Sequence, residues 1–456
     1  MGSFKNVLRS ALDSGYASPS VFVERTTHAR LDVVQKRLDA HFETQVGSCF
    51  EATYEGRKQR LLLGDACPVE LANALGFQAD VETVVPAGLP STSTKTLQIF
   101  SRFLKEKYRS VSQQFPELKH WELSVEFWHR HYCTYDLEGV EKTGEEQSAS
   151  AFVRYLNENN EPVVLSVHEL GEGVLFKKLR DGRWVENTLK LRLRQESRSQ
   201  APREKLPVVF SENAFAKLCE TFLTDFHADR VLLGRSFLNK SALPLPLKFS
   251  VLESPIEGDW DQEGNPRRAV TLLVRGQPRA LFANAEHARL LEIPRSGHGR
   301  RSHYRSRPDI GFWSPEIIGH AASDNILGRH KKAVLVEDLE WDGEALSITE
   351  SFLVREGQIA ESLAPFFSPW TPMDLLGRFE CFSRRTKAHI RRERGGPWIT
   401  QIRTPAALAG ELDLFTPPSK ALPTPKLALW GFSCYKPCKC LRSSKKLIKL
   451  LNPSRR

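Results

Sequence analysis

Apolar positions along the chain follow two periods. Near Phe4–Leu12 they recur at helical spacing and predict a short amphipathic helix. From Pro19 the run Ser-Val-Phe-Val-Glu-Arg-Thr-Thr is apolar and β-branched and predicts a strand. Leu31–Val34 and Thr53–Leu63 predict further strands, and Val69–Leu75 a short helix. Leu97, Phe100, Phe103, Leu104 and Val111 share one face of a helix over Thr96–Val111. From Trp121 the period changes to two. Leu123-Ser-Val-Glu-Phe-Trp, His131–Asp136, Ala149–Leu156 and Val163–Glu169 predict a meander of short strands, with a turn at Asn157-Glu-Asn-Asn-Glu. Farther on, Pro207-Val-Val-Phe predicts a buried strand. Ser211 caps a helix running to about Asp225. Strands follow at Phe249–Leu252, Arg268–Val274, Ala280–Phe282, Ala333–Asp338 and Leu346–Val354.

This order predicts an α+β fold: an N-terminal α+β lobe with antiparallel sheets and a β-rich C-terminal lobe. Loops rich in Pro, Ser, Thr or charge at residues 85–95 and 195–205, and Pro417, Pro418, Pro423 and Pro425 beyond them, divide the chain. The expected units are residues 1–115 (α+β), 116–205 (β-meander), 206–416 (β-rich) and 417–456 (linker and basic tail). A length of 456 residues suits two to four compact units at ~100–200 residues each.

Composition adds little to this outline. Hydrophobic residues make up 40% and charged residues 26%, enough apolar material for sizeable cores. No apolar run reaches the ~18 residues of a membrane span, and the start, Met-Gly-Ser-Phe-Lys-Asn, lacks a signal-peptide apolar stretch. Asn6 stands where a myristoylation signal wants Ser or Thr. A cytoplasmic location is expected. Net charge is +10, with basic residues concentrated at Arg295–Arg307, Arg384–Arg394 and the last twenty or so residues. Such an excess is a solvated surface with a basic tail, or a field that attracts nucleic acid or an anionic surface. No stacking aromatic face or nucleic-acid motif accompanies the arginines. Five cysteines (Cys49, Cys67, Cys133, Cys219, Cys381) are scattered as reduced thiols usually are. Cys434, Cys438 and Cys440 cluster in the tail, one thiol short of a closed zinc site.

The segment from Glu263-Gly-Asn-Pro to Leu291, the box Gly297-His298-Gly299-Arg300-Arg301, and the run Gly234-Arg-Ser-Phe-Leu together resemble the TldD/PmbA family. Ala333–Leu339, Gly343–Ala360 and the early Val21-Phe-Val-Glu-Arg are also similar to its patterns, so the resemblance spans roughly residues 15–415. It implies a two-lobed fold and a hollow, paired metallopeptidase. In such a pair one subunit carries HExxxH on a helix, and a cysteine from a Gly-rich loop completes its zinc site. The matching helix here reads Lys217-Leu-Cys-Glu-Thr-Phe-Leu-Thr-Asp-Phe-His. Cys219 takes the first His position, Glu220 the Glu position and Thr224 the second His position. A peptidase zinc needs three protein ligands and an open position for water, and a threonine hydroxyl is a poor ligand. Cys219 and His227, eight residues apart, would lie ~12 Å apart on a helix. The stretch Arg391–Trp398, which matches the Gly-rich loop, has no cysteine.

The resemblance therefore implies a TldE-like, non-catalytic subunit without a metal of its own. Its expected partner is a TldD-like HExxxH subunit holding the zinc, and the pair would cleave a peptide or peptide-like substrate. An altered, self-sufficient hydrolase and a basic nucleic-acid-binding protein are the alternatives. The glycines of the Gly297 box let backbone approach closely, and paired arginines clamp carboxylates. His298, Arg300, Arg301 and His303 are accordingly the expected substrate-binding residues, with a basic surface loop as the other reading.

Overall fold

A computed structural model describes the chain over residues 2–415, apart from residues 65–70, 72–73, 76–93, 119, 138–140, 157–159, 161, 194–197, 240–244, 246, 255–258 and 393–398. The Cys434/Cys438/Cys440 tail and most of the expected Val69–Leu75 helix fall outside the described residues.

A six-stranded antiparallel sheet forms the N-terminal lobe. Its strands are β1 (Ala17–Val34), β2 (Arg37–Tyr54), β3 (Arg57–Leu63), β4 (Trp121–Tyr135), β5 (Glu141–Leu156) and β6 (Pro162–Glu169), in the order β3-β2-β1-β4-β5-β6. The units expected on either side of residue 115 thus share one sheet, because β1 pairs with β4 from Val21 to Val34. The two short strands expected at Pro19–Thr27 and Leu31–Val34 are one long strand. Its partner β2 was hidden in sequence, since Arg37–Gln45 are exposed apart from the half-buried Leu38 and Asp39, and polar apart from Leu38, Ala40 and Phe42. The turn between them is Gln35-Lys36, both at positive φ. That geometry is usually signalled by Asn-Gly, and here it carries no such signal.

One face of this sheet is apolar. Val21 and Val23 pack under helix α1 (Gly2–Asp13) with Phe4, Val7 and Leu8. Leu31, Val33, Leu123, Val125, Phe127, Ala151 and Val153 pack under α2 (Thr94–Gln114), α3 (Glu172–Arg180) and α4 (Trp184–Leu193). The opposite face is polar, as period-two alternation dictates.

The C-terminal lobe is a twelve-stranded mixed sheet. It contains β7 (Leu206–Phe210), β8 (Phe249–Glu253), β9 (Val270–Val274), β10 (Gln277–Pro278), β13 (Pro315–Gly319), β14 (Ala322–Ser323), β15 (Lys332–Trp341), β16 (Leu346–Arg355), β17 (Gln358–Leu363), β18 (Phe366–Ser368), β19 (Cys381–Arg392) and β20 (Ile399–Leu412). A separate small ladder joins β11 (Gly299–Arg300) to β12 (Asp309–Ile310). Strand β7 lies between β20 and β15, parallel to β15. The lobe is built around α5 (Glu212–Thr224), whose Phe215 and Phe222 meet Phe249, Phe379 and Phe382 edge-on or tilted. Shorter helices are α6 (Ala228–Leu232), α7 (Ala285–Leu291) and α8 (Pro372–Leu376).

Ser211 caps α5 as its sequence predicts: its hydroxyl oxygen accepts from the Ala214 amide at 3.2 Å. Ser211→Ala is expected to cost about 1 kcal/mol in equilibrium unfolding by denaturant. A loss below a few tenths of a kcal/mol would mean the cap does not hold this helix start. No helix among the described residues is long and apolar enough to cross a membrane.

Candidate functional site

The helix that matches the metal motif is α5, and its apolar spacing decides where each candidate points. Cys219 is fully buried in the aromatic core with Phe215, Phe222 and Leu223. Burial pushes its thiol pKa well above the ordinary value, so the thiolate that zinc requires is disfavoured. Glu220 is half-buried on the flank of the helix. At the second His position, the Thr224 hydroxyl donates to the Thr221 carbonyl at 2.7 Å and accepts from the Arg230 guanidinium at 3.0 Å. Beyond the helix, burial raises the Asp225 carboxyl to about 6 and lowers His227 to about 4. Cys381 begins β19, half-buried. Among the described residues, no group of three or more His, Cys, Asp or Glu is arranged to hold a metal ion. A core thiol and an engaged hydroxyl do not fit a catalytic zinc. Most of the stretch matching the Gly-rich loop, residues 393–398, lies outside the described residues.

Restoring the motif residues alone should therefore fail. Cys219→His/Thr224→His places an imidazole in a fully packed aromatic core. It is expected to lose about 2–4 kcal/mol from overpacking and an unsatisfied ring nitrogen. Denaturant unfolding and zinc titration check this; tight zinc binding without loss of stability would contradict it.

The Gly297 box is held by three side chains of the preceding turn. Asp261 accepts from the amides of Glu263 (3.0 Å), Asn265 (2.7 Å) and Gly299 (3.0 Å). The Gln262 side-chain oxygen accepts from the Arg301 amide, and the Gln262 amide donates to the Gly299 carbonyl at 3.0 Å. Glu263 accepts from the Ala285 amide at the start of α7 (2.7 Å). Gly297 has φ +71°, and a Cβ there would stand 2.5 Å from the Pro266 carbonyl oxygen. Only glycine meets both conditions.

This box docks onto the polar face of the N-terminal sheet. Arg301 pairs with Glu51 of β2 at 2.6 Å and lies over the Phe22 ring. Glu51 also pairs with Arg60 of β3 at 2.8 Å, and Arg60 donates to the carbonyl of Ser306 (2.9 Å). Arg300 donates to the Phe312 carbonyl (2.9 Å), approaches Glu146 of β5 (3.4 Å) and stacks on Trp313. Glu146 in turn meets Arg130 of β4 (3.4 Å), which pairs with Glu24 of β1 (3.2 Å). Tyr304 lies so close on β2 that a Cβ at Gly47 would fall 2.2 Å from its ring. The two lobes are joined by a buried seam of alternating charge.

The residues expected to bind substrate lie in this seam or beside it. His298, Arg300 and Arg301 are all buried, with internal partners in place of a peptide. His298 lies 3.5 Å from Glu253, whose other oxygen accepts from the Trp313 and Ser314 amides. A guanidinium desolvated among its own carboxylates has no free edge for a substrate. Only His303 of the four is not fully buried; it meets the Gln45 side chain at 3.1 Å. Sequence reading missed Glu24, Glu51, Arg130 and Glu146. The one available signal was a charge breaking an otherwise apolar strand, as Glu24 does after Val21-Phe-Val.

Away from the seam, the polar face of the N-terminal sheet carries a ladder of ionic and aromatic groups. Arg30 pairs with Asp32 (2.8 Å), Glu122 (3.2 Å) and Glu126 (3.6 Å). Arg154 pairs with Glu122 and donates to Ser124 (3.0 Å). His28 stacks on Trp128 with centroids 4.0 Å apart, and His168 meets Ser150 at 2.8 Å. Such a face offers donors, acceptors and an aromatic surface to an extended polar chain.

A family model described as the PmbA/TldA metallopeptidase C-terminal domain matches residues 203–414, the lobe built around α5. Over this lobe the chain is similar to the TldD/PmbA family. Solved structures agree in fold. TldE from Thermococcus kodakarensis superposes with a TM-score of 0.69 at 15% identity, covering 90% of this chain and 99% of its own. A protein of Thermotoga maritima described as a modulator of a DNA gyrase gives 0.67 at 15% identity, with the same coverages. One of Bacteroides thetaiotaomicron, described likewise, gives 0.64 at 12% identity, covering 90% of this chain and 97% of its own. No curated protein sequence matches this chain. Within the TldD/PmbA fold, α5 occupies the centre of the matched lobe.

Proposed function

We propose that this chain is a TldE-like subunit of a two-protein metallopeptidase. It pairs with a TldD-like HExxxH subunit that holds the zinc. The polar face of its N-terminal sheet contributes a wall of the chamber in which a peptide or peptide-like substrate is cleaved. The observation that carries this reading is the state of α5: Cys219 is sealed in the core and Thr224 is engaged by Arg230. The family supplies the peptidase frame, and the ligand positions of this helix do not fit the metal. The Arg30/Arg154 ladder with the His28–Trp128 stack is the surface suited to peptide groups. A cytoplasmic location belongs to the same proposal.

The test is co-expression with an HExxxH-bearing family member from the same genome. A stable complex with about one zinc, retained by the partner and active on peptides, is expected. Stoichiometric zinc or peptide cleavage by this chain alone would overturn the reading.

A further inference from the structure

The N-terminal sheet has an open side that the seam and the polar face do not use. Strand β2 pairs with β1 along its length, from Arg37 to Thr53. On its other side β3 covers only Ser48–Tyr54. From Arg37 to Gly47 the outer edge of β2 meets no strand among the described residues. Ala40–Gln45 are all exposed, Phe42 at 60%. Natural sheet edges are blunted by proline, by bulges or by lysines. This stretch has no proline or lysine, and the β1–β2 register runs through it without a bulge.

We propose that this edge pairs antiparallel with the same edge of a second copy of the chain, about a two-fold axis at Ala40. The pairing makes one sheet continuous across both copies. Strand register sets where the axis falls. Directly opposite residues in an antiparallel pair share a face of the sheet. With identical edges and an axis normal to the sheet, the axis must pass through a residue. At Ala40, Arg37 stands opposite Glu43, Asp39 opposite His41 and Leu38 opposite Phe42. Every opposed pair is complementary, and each occurs twice by symmetry. An axis at His41 sets Asp39 against Glu43. An axis at Asp39 sets Arg37 against His41 and Lys36 against Phe42. The chain's own contacts do not compete strongly: the Arg37–Asp39 pair is solvent-exposed. The inference is independent of the peptidase reading, because it involves neither α5 nor the polar face.

Light scattering and sedimentation of the full chain without any partner test it. A dimer is expected at roughly 0.1 mM that dissociates on dilution, as small interfaces do. Glu43→Arg faces Arg37 of the other copy and is expected to raise the dimer dissociation constant about tenfold or more, since the repulsion occurs twice. Arg37→Glu combined with Glu43→Arg reverses both signs and should restore the wild-type value. With Cys67, Cys434, Cys438 and Cys440 replaced by serine, Ala40→Cys should give a reducible cross-linked dimer under mild oxidation, where the same serine-substituted chain with Ala40 kept gives none. A chain that stays monomeric at that concentration overturns the proposal. So does a dimer that is indifferent to Glu43→Arg, or one that the double reversal fails to rescue.

Discussion

Arg130→Met is expected to be the most damaging conservative-volume change in the N-terminal lobe, at about 3–5 kcal/mol. The side chain is wholly buried in β4 and bridges Glu24 to Glu146. Desolvation opposes its charge, yet the two carboxylates hold its pKa above the ordinary arginine value. Removing the guanidinium leaves Glu24 buried, with the Thr26 hydroxyl of its own strand donating to it at 2.8 Å. Glu146 keeps Arg300 and the Gln262 amide. The loss should therefore fall mainly on Glu24, and Glu24→Gln added to Arg130→Met should recover part of it. Guanidinium unfolding of the single and double variants measures both effects. A single variant within about 0.5 kcal/mol of the unchanged chain would show that the seam contributes little.

The second large effect depends on pH. Burial and the neighbouring Asp261 push the Glu263 carboxyl from an ordinary value near 4.5 up to about 7. Glu51 pushes in the same direction, while Arg301 and the Ala285 amide oppose it. The folded chain then holds one more proton at this site than the unfolded chain between about pH 4.5 and 7. Its contribution is fully present below about pH 4.5 and is lost as pH rises through 7. A shift of this size corresponds to about 3 kcal/mol. Glu263→Gln keeps an oxygen for the Ala285 amide and has no proton to lose. It is expected to match the unchanged chain near pH 4.5 and to exceed it by roughly 1–3 kcal/mol at pH 8. Asp225, raised to about 6, titrates in the same sense in both proteins and cancels in the comparison. Equal stabilities at pH 8 would place Glu263 in a better-solvated setting than its burial implies.

Much of the outline could be read from the chain. The α5 helix and its serine cap follow from Ser211-Glu212 and the apolar spacing behind them. The helices at Gly2–Asp13 and Thr94–Gln114 follow from their apolar faces. Strands β15 and β16 follow from alternation. The residues at the motif positions could also be named in advance, because ligand chemistry depends on residue type. The β1–β2 hairpin could not be read, since neither its Gln35-Lys36 turn nor its polar outer half carries a local signal. Helices α3 and α4 were missed between charged segments, because their buried residues are few: Leu175, Leu179, Val185 and Leu189.

What the sequence settled by itself is local: which segments are helical or extended, and that α5 carries Cys, Glu and Thr where a metal helix would carry His, Glu and His. Periodicity and side-chain chemistry act within a few residues, so no other part of the chain is needed for them. What the tertiary structure alone decided is partnership. Arg300 and Arg301 read as a clamp for a ligand until Glu146 and Glu51, more than a hundred residues earlier, were brought against them. Whether a charge faces water or a buried opposite charge depends on which strands pair, and that is set by the packing of the whole chain.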